Sequence, residues 1–72
     1  MPKEKRLVVE GVITEVLSNT MFRVQVKERI ILAYLSGKMR MKYRKLLPGE
    51  KVLVEISSYD LNKGRILQAI TK

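Results

Sequence analysis

The chain has no cysteine, no histidine and no tryptophan, and its aromatics stop at one phenylalanine and three tyrosines. Without cysteine, neither a disulfide nor a thiolate metal site can brace it. Without histidine, the commonest metal ligand and the usual general base are missing, so triads built on Cys or His are excluded. The seven acidic residues are scattered, with no metal-ligand spacing among them. Long apolar runs are missing too: the longest, Ile30 to Leu35, falls far short of the ~20 residues a membrane helix needs. Met1 to Arg6 is basic like the first region of a signal peptide. The apolar stretch behind it is broken at Glu10, so no secretory segment is expected. The expectation is a cytoplasmic protein without catalytic residues, metal, cofactor or membrane partner.

What is present is positive charge. Fifteen Lys and Arg stand against the seven acids, a net charge of +8 on 72 residues, with a pI near 10.1. That balance favours a polyanionic partner. The charge is concentrated in Ser36-Gly37-Lys38-Met39-Arg40-Met41-Lys42-Tyr43-Arg44-Lys45, where five of the eight residues from Lys38 onward are cationic. No acid lies between Glu28 and Glu50. A charge run is ordinarily a solvated face; this one has no interspersed acids and contains an aromatic.

The length allows one domain, expected over residues 7–72 behind a flexible basic N-terminus at 1–6. Such a chain buries only about 60% of its unfolded surface, so its core is marginal. From Leu7 onward, short runs of Val, Ile and Leu alternate with turn residues, a β pattern. Leu7 to Leu17 is the longest run. Its alternation is imperfect, because Val8, Val12 and Val16 compete with Leu7, Val9, Ile13 and Leu17, and Gly11 inside it suggests a bulge or bend. A long bent strand shared by the two halves of a small barrel has that signature. After the turn Ser18-Asn19-Thr20, Met21 to Lys27 alternates cleanly, placing Phe22, Val24 and Val26 inward and Arg23, Gln25 and Lys27 outward. Lys27-Glu28-Arg29 connects it to Ile30–Leu35, without the Asn-Gly or Asp-Gly that two-residue hairpins prefer. Lys51 to Ile56 places Val52, Val54 and Ile56 inward. An eight-residue loop, Ser57 to Gly64, leads to a last strand from Arg65 to Ile70, with Ile66 and Ile70 on one face. The pattern predicts an all-β, five-stranded barrel with a short helical insert between strands three and four. The OB-fold has its helix there, and an SH3-like barrel is the competing architecture.

Read as a helix, the basic segment carries an apolar stripe at Met39, Tyr43 and Leu46 or Leu47, with Lys38, Lys42 and Lys45 in one cationic row and Arg40 and Arg44 beside it. Met, Lys and Arg form helices readily and Pro48 stops one, which favours a helix over a strand. The leucines read as core, whereas Tyr43 among cations suits stacking on a base. Tyr59, Lys63 and Arg65 form a second, weaker cluster around the final loop, a binding surface in OB-folds. Arg23 is a third candidate. The RNA-binding set is therefore Arg23, Lys38, Arg40, Lys42, Tyr43, Arg44, Lys45, Tyr59, Lys63 and Arg65, with the cations on phosphates. Gly37-Lys38 is not the end of a P-loop, because Leu32 stands where Gly is needed and Met39 where Ser or Thr would hold magnesium. With so few aromatics, neither a four-stranded RNA-recognition motif nor a cold-shock barrel fits.

Asn19-Thr20-Met21-Phe22-Arg23-Val24, then Ser36-Gly37-Lys38-Met39-Arg40, Pro48-Gly49-Glu50-Lys51-Val52, Tyr59-Asp60-Leu61 and Lys63-Gly64-Arg65-Ile66 resemble bacterial-type translation initiation factor one, in order and near-matching spacing from about Gly11 to Ile66. The resemblance implies an OB-fold that binds the decoding site of the small ribosomal subunit, in the aminoacyl-tRNA position. It implies contacts to ribosomal RNA and a neighbouring ribosomal protein, cooperation with initiation factors two and three, a monomer, and no enzymatic activity. It also makes Ser36–Lys45 the main RNA-contacting element. Three features depart from the family: the Lys27-Glu28-Arg29 connection lacks the usual glycine-containing turn, Tyr34 stands where histidine is frequent, and the end, Leu67 to Lys72, is less basic. A general RNA chaperone or single-strand binder on the same barrel is the alternative, and a module for an acidic protein partner a more distant one.

Overall fold

A computed structural model of the chain describes residues 7–42 and 45–70, with the backbone alone for Lys38, Arg40 and Lys42. Its strands are β1 (Leu7–Val16), β2 (Met21–Val26), β3 (Arg29–Leu35), β4 (Lys51–Ile56) and β5 (Lys63–Ala69), and a short helix, α1 (Gly37–Lys42), lies between β3 and β4. The strands close into a barrel in the order β1-β2-β3-β5-β4. Among the described residues, only the β3–β5 pairing is parallel. This is the OB-fold arrangement and not the SH3-like one.

The long first strand is shared by both halves of the barrel. Leu7 to Val12 pairs with β4, and Val12 to Val16 with β2. Its uneven alternation has a local cause: the register slips between Ile13 and Glu15. One extra residue there exchanges the two faces, because side chains alternate with a period of two. Gly11 and Ile13 face the interior before the slip, and Val16 is opposite Phe22 after it. The bulge is thus at Thr14, not at Gly11. Gly11 has a different role: a Cβ there would lie on top of Val24 Cγ1. Gly64 on β5 is its counterpart, since a Cβ would meet Val54 Cγ1 at 2.7 Å and Ile31 Cδ1 at 3.0 Å. A barrel this narrow closes because two interior positions carry no side chain.

The core consists of Ile13, Phe22, Val24, Ile31, Ala33, Leu35, Met39, Leu46, Val52, Val54 and Ile66, with Val26, Ile56 and Ala69 packed against it. Three expectations are corrected. On β5 the register shifts opposite Leu53 and Val54, so Ala69 rather than Ile70 shares the interior face with Ile66. Strand β5 also starts at Lys63, which shortens the preceding loop. Leu46 is buried, but Leu47 is 51% exposed.

The β2–β3 hairpin is tighter than expected. Val26 pairs with Arg29, leaving only Lys27 and Glu28 in the loop. Lys27 adopts φ 56°, the left-handed region that side chains other than Gly, Asn and Asp avoid. The Gln25 amide donates to the Lys27 carbonyl at 3.0 Å and fixes the turn. Replacing Lys27 with Gly should raise stability by about 0.5–1 kcal/mol, whereas Ala should not. Thermal melts of the two variants check this; equal melting temperatures would contradict it.

Candidate nucleic-acid interface

Strand register alone assembles the exposed face of β2, β3 and β5. Arg23 pairs with Leu32, and Leu32 with Lys63. One step along, Met21 pairs with Tyr34, and Tyr34 with Arg65. These residues are on the outer side because Phe22, Val24, Ala33, Leu35, Gly64 and Ile66 between them are buried. Neighbouring strands are about 4.8 Å apart and alternate residues on one strand about 7 Å apart. Arg23, Lys63, Arg65 and Tyr34 therefore share one compact patch, three cations around an aromatic.

The surrounding carboxylates are peripheral. Glu15 on β1 meets Arg23 with Oε1 3.5 Å from Nε, both side chains more than half exposed. An exposed pair of this kind contributes about 0–1 kcal/mol, so Arg23 can exchange it for a phosphate. Glu55 on β4 lies opposite Arg65, on the side away from Tyr34.

The basic segment begins at the edge of this patch. Ser36, directly after β3, donates its N–H to the Ile66 carbonyl at 3.0 Å. Its buried Oγ accepts the Met39 N–H at 3.3 Å, an N-cap that starts α1. Met39, 4% exposed, and Leu46, 3% exposed, anchor the segment in the core at two points. Helix α1 packs against β3 and β5. Lys38, Arg40 and Lys42 thus have helical backbone next to the patch, and Tyr43 and Arg44 lie outside the described residues. Leu46 belongs to the non-helical stretch that follows, so the stripe read from the sequence reaches the core from two kinds of backbone. Lys45 is exposed and lines a groove together with Val16, Phe22, Leu35 and Leu47. The segment ends at a turn in which Glu50 N–H donates to the Leu47 carbonyl at 3.2 Å, and Glu50 Oε2 accepts the Leu47 N–H at 2.8 Å. Gly49 N–H and the Glu50 carbonyl then tie this turn to Ile13 of β1.

Tyr59 is on the β4–β5 loop and is 90% exposed. The loop is ordered by its own side chains. Ser57 Oγ accepts the Tyr59 and Asp60 N–H groups, and Asp60 Oδ1 accepts the Asn62 N–H. Such a loop holds its aromatic in solvent without a hydrophobic contact. The sequence reading missed Tyr34 as a site residue, because its position inside the apolar run Ile30–Leu35 marks it as strand, not surface. The alternation of β3 identifies it: Ile31, Ala33 and Leu35 are buried, so Tyr34 faces out. Among the described residues no acidic cluster could hold a metal ion, and no helix is long and apolar enough to cross a membrane.

A five-stranded OB barrel with a basic, aromatic-bearing outer face and a cationic insert after its third strand has the form of a nucleic-acid-binding module. No family model matches the chain. Solved structures do. The solution structure of translation initiation factor one from the Wolbachia endosymbiont strain TRS of Brugia malayi superposes with a TM-score of 0.73 at 38% identity, covering 92% of this chain and 79% of that one. The crystal structure of YjeQ from Thermotoga maritima superposes with a TM-score of 0.72 at 26% identity, covering 92% of this chain but only 23% of YjeQ. With YjeQ, therefore, only a module of the longer protein is shared. The chain belongs to the family of translation initiation factor one.

Proposed function

We propose that this chain is an initiation factor that binds the small ribosomal subunit through ribosomal RNA. It occupies the decoding site, where aminoacyl-tRNA is received, and occludes tRNA there. In this reading it also touches a neighbouring ribosomal protein and cooperates with initiation factors two and three. It acts as a cytoplasmic monomer that binds and does not catalyse. The observation that carries the reading is the 38% identity to a translation initiation factor one along 92% of the chain. The outer face is consistent with it: Arg23, Lys63 and Arg65 would meet phosphates, as would Lys38, Arg40, Lys42, Arg44 and Lys45 on the insert, while Tyr43 and Tyr59 offer rings. Phosphate contacts position a protein without reading sequence, which suits docking on one folded RNA surface.

Co-sedimentation with isolated small subunits, in the presence of an unstructured oligoribonucleotide as competitor, tests it. The proposal expects the chain to stay with the subunits when the oligonucleotide is in molar excess. Preferential transfer to the oligonucleotide would establish the general RNA chaperone instead.

A further inference from the structure

Strand β1 has an open edge at its start. Leu7 to Val12 pair with β4, but pairing with β2 begins only at Val12, opposite Gln25. The Ile13 N–H donates to the Glu50 carbonyl and the Ile13 carbonyl accepts the Gly49 N–H, so Leu7, Val9 and Gly11 likewise direct their backbone groups to β4. Val8 and Glu10 direct theirs to the opposite edge, where no described residue pairs with them. A recess lies on each side of this gap between β1 and the end of β2. The inner one, about 490 Å³, is apolar: Leu7, Val9, Val26, Ile31, Ile56 and Leu61 line it beside the Lys27–Arg29 turn. Leu7 and Leu61 are each 54% exposed there. The outer one, about 290 Å³, is polar, with Glu10, Gln25, Lys27 and Lys51 around it. Both are at the end of the barrel away from α1, because β3 runs seven residues, about 20 Å, from Arg29 to Leu35 before the insert begins.

We infer that this gap is a docking site for an extended segment of a partner protein, which adds as a strand to the open edge of β1 and alternates apolar with acidic side chains. An open strand edge is a template for another chain, and the backbone groups of Val8 and Glu10 supply the hydrogen bonds. Side chains of an added strand alternate between its two faces. One set enters the apolar recess beside Leu7 and Val9, and the other meets the polar recess at Lys27 and Lys51. Around the gap Lys27, Arg29 and Lys51 stand against Glu10 and Glu28, in a chain of net charge +8. That balance selects carboxylates for the outward set. A second copy of this chain would bring its own +8 to the contact. Met1 to Arg6 carries three cations and one acid, and would have to reverse direction at Leu7 to run beside β1. An RNA strand would suit the lysines but leave the apolar recess unfilled. The site is independent of the ribosomal reading and remote from α1, so the chain can hold such a segment while bound to RNA.

A capped synthetic peptide alternating glutamate with valine and leucine tests the inference on the full chain, read by amide hydrogen exchange and by titration. The Val8 and Glu10 amides should exchange quickly in the chain alone and become protected when the peptide is added. The Val9 amide, already directed to β4, should change little. N-methylation of alternate peptide amides should abolish binding in one register and leave it intact in the other, the signature of strand addition. A peptide with lysine in place of glutamate should bind about tenfold more weakly. Leu61→Asp should weaken the glutamate peptide by about tenfold, through the apolar recess. Lys27→Glu should weaken it by about 1.5- to 5-fold. Melts of both variants confirm that they are folded, which their exposed positions favour. No protection of Val8 and Glu10 at saturating peptide, or equal binding of the glutamate and lysine peptides, would overturn the inference. So would protection of these amides without peptide: dependent on chain concentration, it would assign the edge to a second copy, and independent of it, to residues 1–6. None of these results bears on binding to small subunits.

Discussion

Raising the salt concentration fourfold should weaken binding of this chain to small ribosomal subunits by about 250-fold. The expectation follows from counterion release. Each phosphate neutralised by Lys or Arg frees condensed cations from the RNA, and with about six such contacts the single-strand coefficient gives a slope of log affinity against log salt near −4. Six is a conservative share of the eight candidate cations on the outer face and insert, since Arg23 has Glu15 beside it and Arg65 has Glu55 opposite. Replacing Lys38, Arg40 and Lys45 with alanine should bring the slope to about −2, so that the same salt change costs only about 16-fold. The variant should be weaker at every salt concentration in the range. It should also remain folded, because Met39 and Leu46, not the cations, anchor the segment in the core. Filter binding across a salt series, with a melt of the variant, measures both. A triple variant with the parent's affinity and slope would show that the insert does not contact the RNA.

The second large effect concerns the interior glycines. Gly64→Ala should destabilise the fold by about 1–3 kcal/mol, since the new methyl would press on Val54 Cγ1 at 2.7 Å and on the Glu55 carbonyl at 3.1 Å. For a domain of this length, about 1 kcal/mol lowers the melting temperature by roughly 4–8 °C. A chain of 72 residues has about 4–11 kcal/mol of total stability, so the loss is a substantial fraction. Adding Val54→Ala should recover part of it by removing the opposing methyl groups, a non-additivity that a double-mutant cycle reads directly. Gly11→Ala should be at least as destabilising, through Val24. The two variants should separate in function, however. Gly64 lies between Lys63 and Arg65, so a displaced β5 moves both cations, whereas β1 at Gly11 carries none of the candidate contacts. At temperatures where both remain folded, Gly64→Ala should reduce RNA binding more than Gly11→Ala. Melting temperatures equal to the parent's would show that the barrel has slack at these positions.

The parts of this molecule that were legible in its sequence are those where one local rule acts. The alternation of Phe22, Val24 and Val26 with Arg23, Gln25 and Lys27 was readable because β2 is a regular antiparallel strand with one buried face. The cationic insert was readable because its charge is contiguous. What was not legible arose where two strands had to agree. The slip at Thr14 and the shift beside Leu67 are set by pairing partners, so neither the inward position of Ala69 nor the exposure of Ile70 could be taken from β5 alone. Gly11 and Gly64 could be noticed in the sequence, but the reason for them, close approach to Val24 and Val54, exists only once the barrel closes. Tyr34 has the same character. Within its own segment it is one apolar residue among six, and its place between Met21 and Arg65 depends on two separate strand pairings. Leu46 and Leu47 are indistinguishable by composition, and the turn at Pro48 determines which one turns inward.

The central claim is that this face docks on the decoding site of the small subunit. Chemical probing of the small-subunit RNA, with and without the chain, tests it most directly. The account predicts protection of decoding-site nucleotides that is lost when Lys38, Arg40 and Lys45 are replaced with alanine, and that retreats as salt rises. Protection confined to other regions of the RNA, or decoding-site protection that persists unchanged in the triple variant, would contradict it.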